Sequence, residues 1–302
     1  MNTRPGVTIG AAAQLACLLE ASAPKPGNVS PGVDFGDTTY ADFLASASAI
    51  GHSLGSAGRP LGETILMAVR DTRRWVDANT NLGIILLLAP LARAAALCGP
   101  NDDAAVDPDS LRRSLARVLA ESTVDDARAA YEAIRLASPG GLGSVDTQDV
   151  ADEPTVTLTD AMRLAADRDR VASEYATNFR ATFEVGAVAL RAARRAGLDW
   201  NDAIVETYLT LLAAYPDTHI ARRAGHARAD AVTRAARAAL DLGGVRSEEG
   251  RSAIARLHAD LSDARNLSNP GTTADVTTAA IFVSLLAGGW QSRHGGIDAA
   301  PR

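Results

Sequence analysis

The stretch "LGIILLLAPLARAAAL", residues 82–97, is the most apolar run in the chain, and its reading decides the fold. It carries Pro90 and Arg93 and falls short of the roughly 20 residues that cross a bilayer. A helix apolar all round and too short for a membrane belongs inside a protein core. Outward from this run, nearly every segment between glycines and prolines has apolar residues three or four apart, and none alternates with period two. The fold class is therefore all-α. Helices are predicted near 7–22, 39–56, 61–77, 82–97, 108–120, 124–137, 159–196, 200–214, 218–241, 248–266 and 273–289, a count within ten to twelve.

Several ends have a mechanism. Asp107 before Pro108 reads as an N-cap with a first-turn proline, Gly197 suits the left-handed position after a helix, and Gly243 with Gly244 stops the next long one. No repeat, low-complexity tract or linker divides the 302 residues, so 1–302 reads as a single multi-helix domain with its core at about 7–290 and a short tail at 291–302. Two connections, 23–38 and 138–158, are long and rich in Gly, Pro, Ser and Asp, a pattern of functional loops. The exposed Pro/Gly/Asp character of the second permits a lid and equally permits disorder.

A net charge of −6 disfavours nucleic acid and anionic membranes as partners, because both draw affinity from excess positive charge. Cys17 and Cys98 stand alone, with no metal-site spacing, and read as reduced residues of a cytoplasmic protein. The apolar N-terminal stretch is interrupted by Gln14 and followed by Glu20, which argues against a secretory leader. Assembly into a homo-oligomer is compatible with all of this.

Five polar stretches stand out from the alanine-rich helices. "PKPGNVSPG" at 24–32 holds Lys25, the sole lysine among thirty basic residues, together with Asn28. Its prolines give a stiff mounting to a compact ammonium that can lose its proton, which a guanidinium does not. "NTNLG" at 79–83 places Asn79, Thr80, Asn81 and Gly83 at the start of the buried helix, where free amides and the dipole favour a phosphate. The plain alternative is an Asn/Thr cap.

"SPGGLG" at 138–143 opens the long loop, and "YPDTHIARR" at 215–223 offers Asp217, His219, Arg222 and Arg223, whose guanidiniums suit a polyphosphate. "NPGTTAD" at 269–275 supplies Asn269, Thr272 or Thr273 as a cap, and Asp275 in the first turn, as a dipole partner or a magnesium ligand. Glu63 lies in the first turn of "LGETILMAVRDT". Asp167 and Asp169, in "AADRDRVASEY", read as a solvated face. There is no P-loop, dinucleotide fingerprint, GxSxG or zinc signature. Cap amides, one lysine, a few arginines and several carboxylates together suit a magnesium-bound polyphosphate.

In this order, "PKPGNV", "DFLASA", "LGETILMAV", "NTNLG", "ARRAGHARA" and "NPGTTAD" resemble the triphosphoribosyl-dephospho-CoA synthase family, over about Ala12 to Trp290. The resemblance implies an all-helical enzyme in prosthetic-group biosynthesis, with ATP as substrate and adenine as leaving group. The acceptor would be the 2'-hydroxyl of 3'-dephospho-CoA. Such a transfer passes through an oxocarbenium-like sugar and needs a carboxylate and an acid. Glu63 and Asp275 match acidic positions and are expected as base or magnesium ligands, with Asp217 a further ligand. Lys25, Arg222 and Arg223 would neutralise phosphates, with Asn28, Asn79, Thr80, Asn81, Gly83, Asn269 and Thr272 around them.

One departure stands out. Where members serving citrate lyase typically read Thr-His-Lys-Gly, this chain reads Thr80-Asn81-Leu82-Gly83. The stretch "IRLASPGGLGSVDTQDVADEPTVTL" is more similar to a divergent branch found in archaea and one-carbon-metabolising bacteria. Two alternatives stay open: an enzyme acting on a pterin or other cofactor precursor, and a nucleotide-binding helical protein without turnover.

Overall fold

A computed structural model describes residues 8–56, 58–99, 105–140, 143–262 and 267–290. All regular elements among them are helical, apart from one isolated bridge between Ser30 and Val33. The α-helices are α1 (Ile9–Ser22), α2 (Tyr40–Ala49), α3 (Gly51–Gly55), α4 (Leu61–Arg73), α5 (Leu82–Leu97), α6 (Pro108–Ala120), α7 (Val124–Ala137) and α8 (Leu158–Ala165). They continue as α9 (Arg170–Ala176), α10 (Ala187–Arg195), α11 (Trp200–Ala214), α12 (Thr218–Ala224), α13 (His226–Asp241), α14 (Glu248–Leu261) and α15 (Gly271–Leu286).

The core is built on two helices buried nearly all round, α5 and α15, which pack on each other. Helix α15 also meets α1, α10 and α11, while α4 and α6 flank α5. Pro90 lies inside α5 without breaking it. A proline has no N–H for the carbonyl four residues back, and the Tyr175 hydroxyl donates to the Leu86 oxygen at 2.6 Å instead. The buried helix thus keeps that carbonyl satisfied.

Three predicted helices are divided, so the segments outnumber the expected ten to twelve. The 39–56 stretch splits at Ile50, and 218–241 splits at Gly225, whose φ of 91° is left-handed. The 159–196 stretch becomes α8, α9, a π-turn at Ala181–Gly186 and α10. It is interrupted at 166–169, where extended Asp169 caps α9, and again at Asn178 and Phe179, with φ of 51° and 57°. The buried Glu174 carboxylate makes this break tolerable by accepting from the amides of Ala181 and Thr182 and from the Thr182 hydroxyl. The helix predicted to 266 ends at Leu261, with Ser262 already out of helical conformation, and 263–266 lie outside the described residues, as does the tail beyond 290.

The caps at Asp107, Gly197 and Gly243 stand where the sequence puts them: Asp107 accepts from the Ser110 amide, and both glycines have positive φ. No helix among the described residues is long and apolar enough to cross a membrane.

Candidate active site

The starts of α5 and α15 face each other. Helix α5 begins at Leu82, and the Asn79 side chain accepts from the Leu82 amide at 3.1 Å. Asn81 is at the cap position but turns inward, donating to Thr72 Oγ1 at 3.1 Å. Helix α15 begins at Gly271, earlier than predicted, with Pro270 before it. Asp275 consequently lies in the second turn rather than the first, and neither threonine caps the helix. The Thr273 amide and hydroxyl both donate to Asp217 Oδ2 at 2.7 Å.

Between these starts lies a cleft with two lobes. One, of about 400 Å³, is polar and is lined by Glu20, Asn28, Thr80, Asn81, Asn269 and Arg223, with Arg73 at its rim. The other, of about 270 Å³, is more apolar and is lined by Leu86, Ile134, Leu158, Met162 and Val171, with Asp169, Arg222 and Thr272. Asn79, Leu82, Gly83, Gly140, His219 and Asp275 line both and mark the junction. The long 138–158 connection forms one wall of the second lobe through Pro139, Val145 and Gln148. It is tied down by the Tyr131 hydroxyl, which donates to the Gln148 carbonyl at 2.8 Å.

Asp275 dominates the junction. Its carboxyl lies so near Gly83 that a β-carbon there would stand 2.1 Å from Oδ2. It keeps partial exposure to the cleft, yet burial, then Glu20, Asp217 and Asp169, push its pKa well above the usual carboxylate range. The positive pole of α5 acts the other way, but a helix end contributes about 0.3–1 kcal/mol at a surface site, less than desolvation of a carboxyl. The net direction favours the protonated form of Asp275. His219, beside it, is driven down to about 4 by burial and by Arg222 and Arg223. It is therefore neutral near pH 7, with Arg223 Nη1 3.3 Å from Nε2.

The structure brings most of the expected residues to one place, with three exceptions. Glu63 is exposed at the far end of α4, ten residues before Arg73, or about 15 Å along the helix. It lines neither lobe, so its expected part as base or metal ligand does not fit its position. Asp217 is buried, with Oδ1 accepting from the amides of His219 and Ile220 and Oδ2 from Thr273. Its carboxylate holds α12 against α15 and has no oxygen aimed into the cleft. Lys25 is 1% exposed and bonds inward, which takes it away from any phosphate.

The three residues expected to bind magnesium thus do not converge, and the described residues contain no cluster of three or more His, Cys, Asp or Glu able to hold an ion. Two cleft residues escape sequence reasoning. Glu20 reads only as a charge ending an apolar stretch, although an acid five residues before the sole lysine is a usable signal. Asp169 reads as a solvated acid, yet it caps α9 and pairs with Arg222 in the cleft.

The fold and site are those of an all-helical domain with a carboxyl at the junction of two lobes. Comparison with known proteins makes this specific. The family model described as ATP:dephospho-CoA triphosphoribosyl transferase matches residues 7–294, and the chain belongs to that family. A Stutzerimonas stutzeri protein provisionally named 2-(5''-triphosphoribosyl)-3'-dephosphocoenzyme-A synthase is 32% identical over 108 residues. That match spans 36% of this chain and 37% of the relative. A crystal structure from Archaeoglobus fulgidus, provisionally described as a triphosphoribosyl-dephospho-CoA synthase, superposes with a TM-score of 0.61 at 27% identity. It covers 81% of this chain and 99% of its own.

Proposed function

We propose that the chain transfers the triphosphoribosyl group of ATP to the 2'-hydroxyl of 3'-dephospho-CoA and releases adenine. The observation that carries this reading is the position of the Asp275 carboxyl, against Gly83 at the start of α5 and at the junction of two lobes, in surroundings that raise its pKa. Breaking the bond from C1' to adenine leaves electrons on a poor leaving group, and a proton from a buried carboxylic acid makes that departure easier. The sugar becomes cationic as the bond stretches, and carboxylates in the same cleft stabilise it.

The polar lobe suits the triphosphate, with Arg73, Arg223 and the N-terminal pole of α5 around it. The apolar lobe suits the acceptor, with Arg222 near enough to meet its pyrophosphate. Magnesium belongs here as the counter-ion that ATP brings with it, and no step depends on a site built from protein ligands alone. A cytoplasmic location fits this reading.

Incubation with ATP, magnesium and dephospho-CoA, followed by chromatography, tests this. Free adenine with the triphosphoribosylated acceptor supports it, and ADP or AMP in their place refutes it. Leu82, apolar and lining both lobes where the citrate-lyase enzymes carry lysine, favours a second reading of the acceptor alone. In it the same adenine-releasing chemistry serves another cofactor precursor, and adenine forms only when that precursor replaces dephospho-CoA.

A further inference from the structure

Glu20 and Lys25 form an enclosed ion pair behind the cleft. Glu20, in the last turn of α1, is 5% exposed and lines the polar lobe, whereas Lys25 is 1% exposed. Lys25 Nζ lies 3.1 Å from Glu20 Oε1, donates to the Ala23 carbonyl at 3.0 Å and donates again to Glu20's own carbonyl. An ammonium has three N–H groups, whereas a neutral amine has two and a lone pair in search of a donor. Two carbonyls accept from Nζ and the Glu20 carboxyl stands at ion-pair distance on a third side, surroundings that suit an ammonium with Glu20 as its carboxylate. Burial opposes both charges, raising Glu20 and lowering Lys25, so each depends on the other.

Oε1 sits off the line of any N–H and has no aligned hydrogen bond, which leaves a buried acceptor in the wall of the lobe. Cys17, Tyr208 and Asp275 are the other titratable groups that feel its charge. Two carboxyls in one buried site cannot both ionise easily, and a cation beside one of them decides which does. Lys25 stands beside Glu20.

Resting on the transferase reading above, we propose that Glu20 is the catalytic base that takes the proton of the attacking 2'-hydroxyl, and that Lys25 is its positioning residue. The hydroxyl proton passes to Glu20 while the oxygen bonds to C1' of ATP. The bond from C1' to N9 breaks with its electron pair on adenine, which takes the proton of Asp275. One proton has entered one carboxyl and one has left the other, and exchange with solvent restores both. An arginine cannot replace Lys25, because a planar fork does not fit three oxygens gathered around one nitrogen.

The sole lysine makes the test direct, since lysine labelled at Cε and Nζ gives one side-chain signal. At neutral pH the wild type shows an ammonium and Glu20→Gln a neutral amine. Glu20→Gln lowers kcat for adenine release about 100-fold or more while KM for ATP stays within about threefold. Lys25→Met loses as much at neutral pH but recovers relative to wild type as the pH rises, because unpaired Glu20 takes up a proton that alkali removes. A merely structural lysine gives a loss independent of pH. Should Lys25→Met fail to fold by circular dichroism, the near-isosteric Glu20→Gln and the wild-type lysine signal still decide. A neutral lysine in the wild type, or a Glu20→Gln enzyme with wild-type kcat, overturns the proposal alone. Wild-type protein that releases no adenine overturns the transferase reading and the catalytic part of this one with it.

Discussion

Asp275 and Gly83 are in contact across the starts of two buried helices, at a separation that leaves no space for a side chain on residue 83. A glycine here is required by close approach, since Gly83 lies in a regular helix and an alanine would meet no backbone strain. Gly83→Ala should push the Asp275 carboxyl aside by an ångström or so. A misplacement of that size costs on the order of 100-fold in turnover. Adenine release measured beside helix content by circular dichroism separates a displaced acid from a lost fold.

The raised pKa of Asp275 has a signature in stability as well as rate. Its pKa is raised on folding, so its contribution is full below the unfolded value of about 3.9 and is lost as pH rises through the folded value. Asp275→Asn should therefore raise the melting temperature more at pH 8 than at pH 4, while abolishing turnover. A gain in stability coupled to a loss of activity is what a functional buried acid produces. Equal effects on melting at both pH values would show an acid that is not perturbed.

His219 has the opposite sign. Its pKa falls on folding to about 4, so its contribution is present above the unfolded value of about 6.5 and is lost as pH falls from there toward 4. Denaturant titrations over that window should show wild-type stability falling more steeply than that of His219→Gln. Parallel slopes would mean that the imidazole is not held neutral by Arg222 and Arg223.

Glu63 is the control. It is exposed at the distant end of α4, and Glu63→Gln should leave kcat and KM within about twofold of wild type. A loss of tenfold or more in steady-state assays would return it to the site.

Tyr175 and Pro90 should couple. Tyr175→Phe leaves the Leu86 carbonyl buried without a donor, at about 1–3 kcal/mol. With Pro90→Ala also present, the helix supplies its own N–H to that carbonyl and much of the loss is recovered. Chemical unfolding of both single variants and the double one measures the coupling.

Much of this architecture can be read from residues alone. The run at 82–97 declares a buried helix, and Asp107, Gly197 and Gly243 mark ends by local chemistry that needs no tertiary context. The break at Asn178 and Phe179 is different, because it depends on Glu174 folding back onto the next turn, a contact no periodicity encodes. The site follows the same division. Asn79, Asn81, Asn269 and Asp275 are legible as polar residues near helix starts, and all reach the cleft. Glu20 and Asp169 look like ordinary helical acids until packing places them beside Lys25 and Arg222. Lys25 is conspicuous in sequence, but only its burial shows that its partner is a carboxylate of the same protein.

The central claim is that a buried acid at the meeting of two lobes expels adenine from ATP as an acceptor hydroxyl arrives. Mass spectrometry of a reaction containing ATP, magnesium and dephospho-CoA tests it most directly. The account predicts one adenine released for each triphosphoribosyl group gained by the acceptor, with neither product formed by Asp275→Asn. Adenine with no modified acceptor, or a modified acceptor formed at wild-type rate by Asp275→Asn, would contradict it.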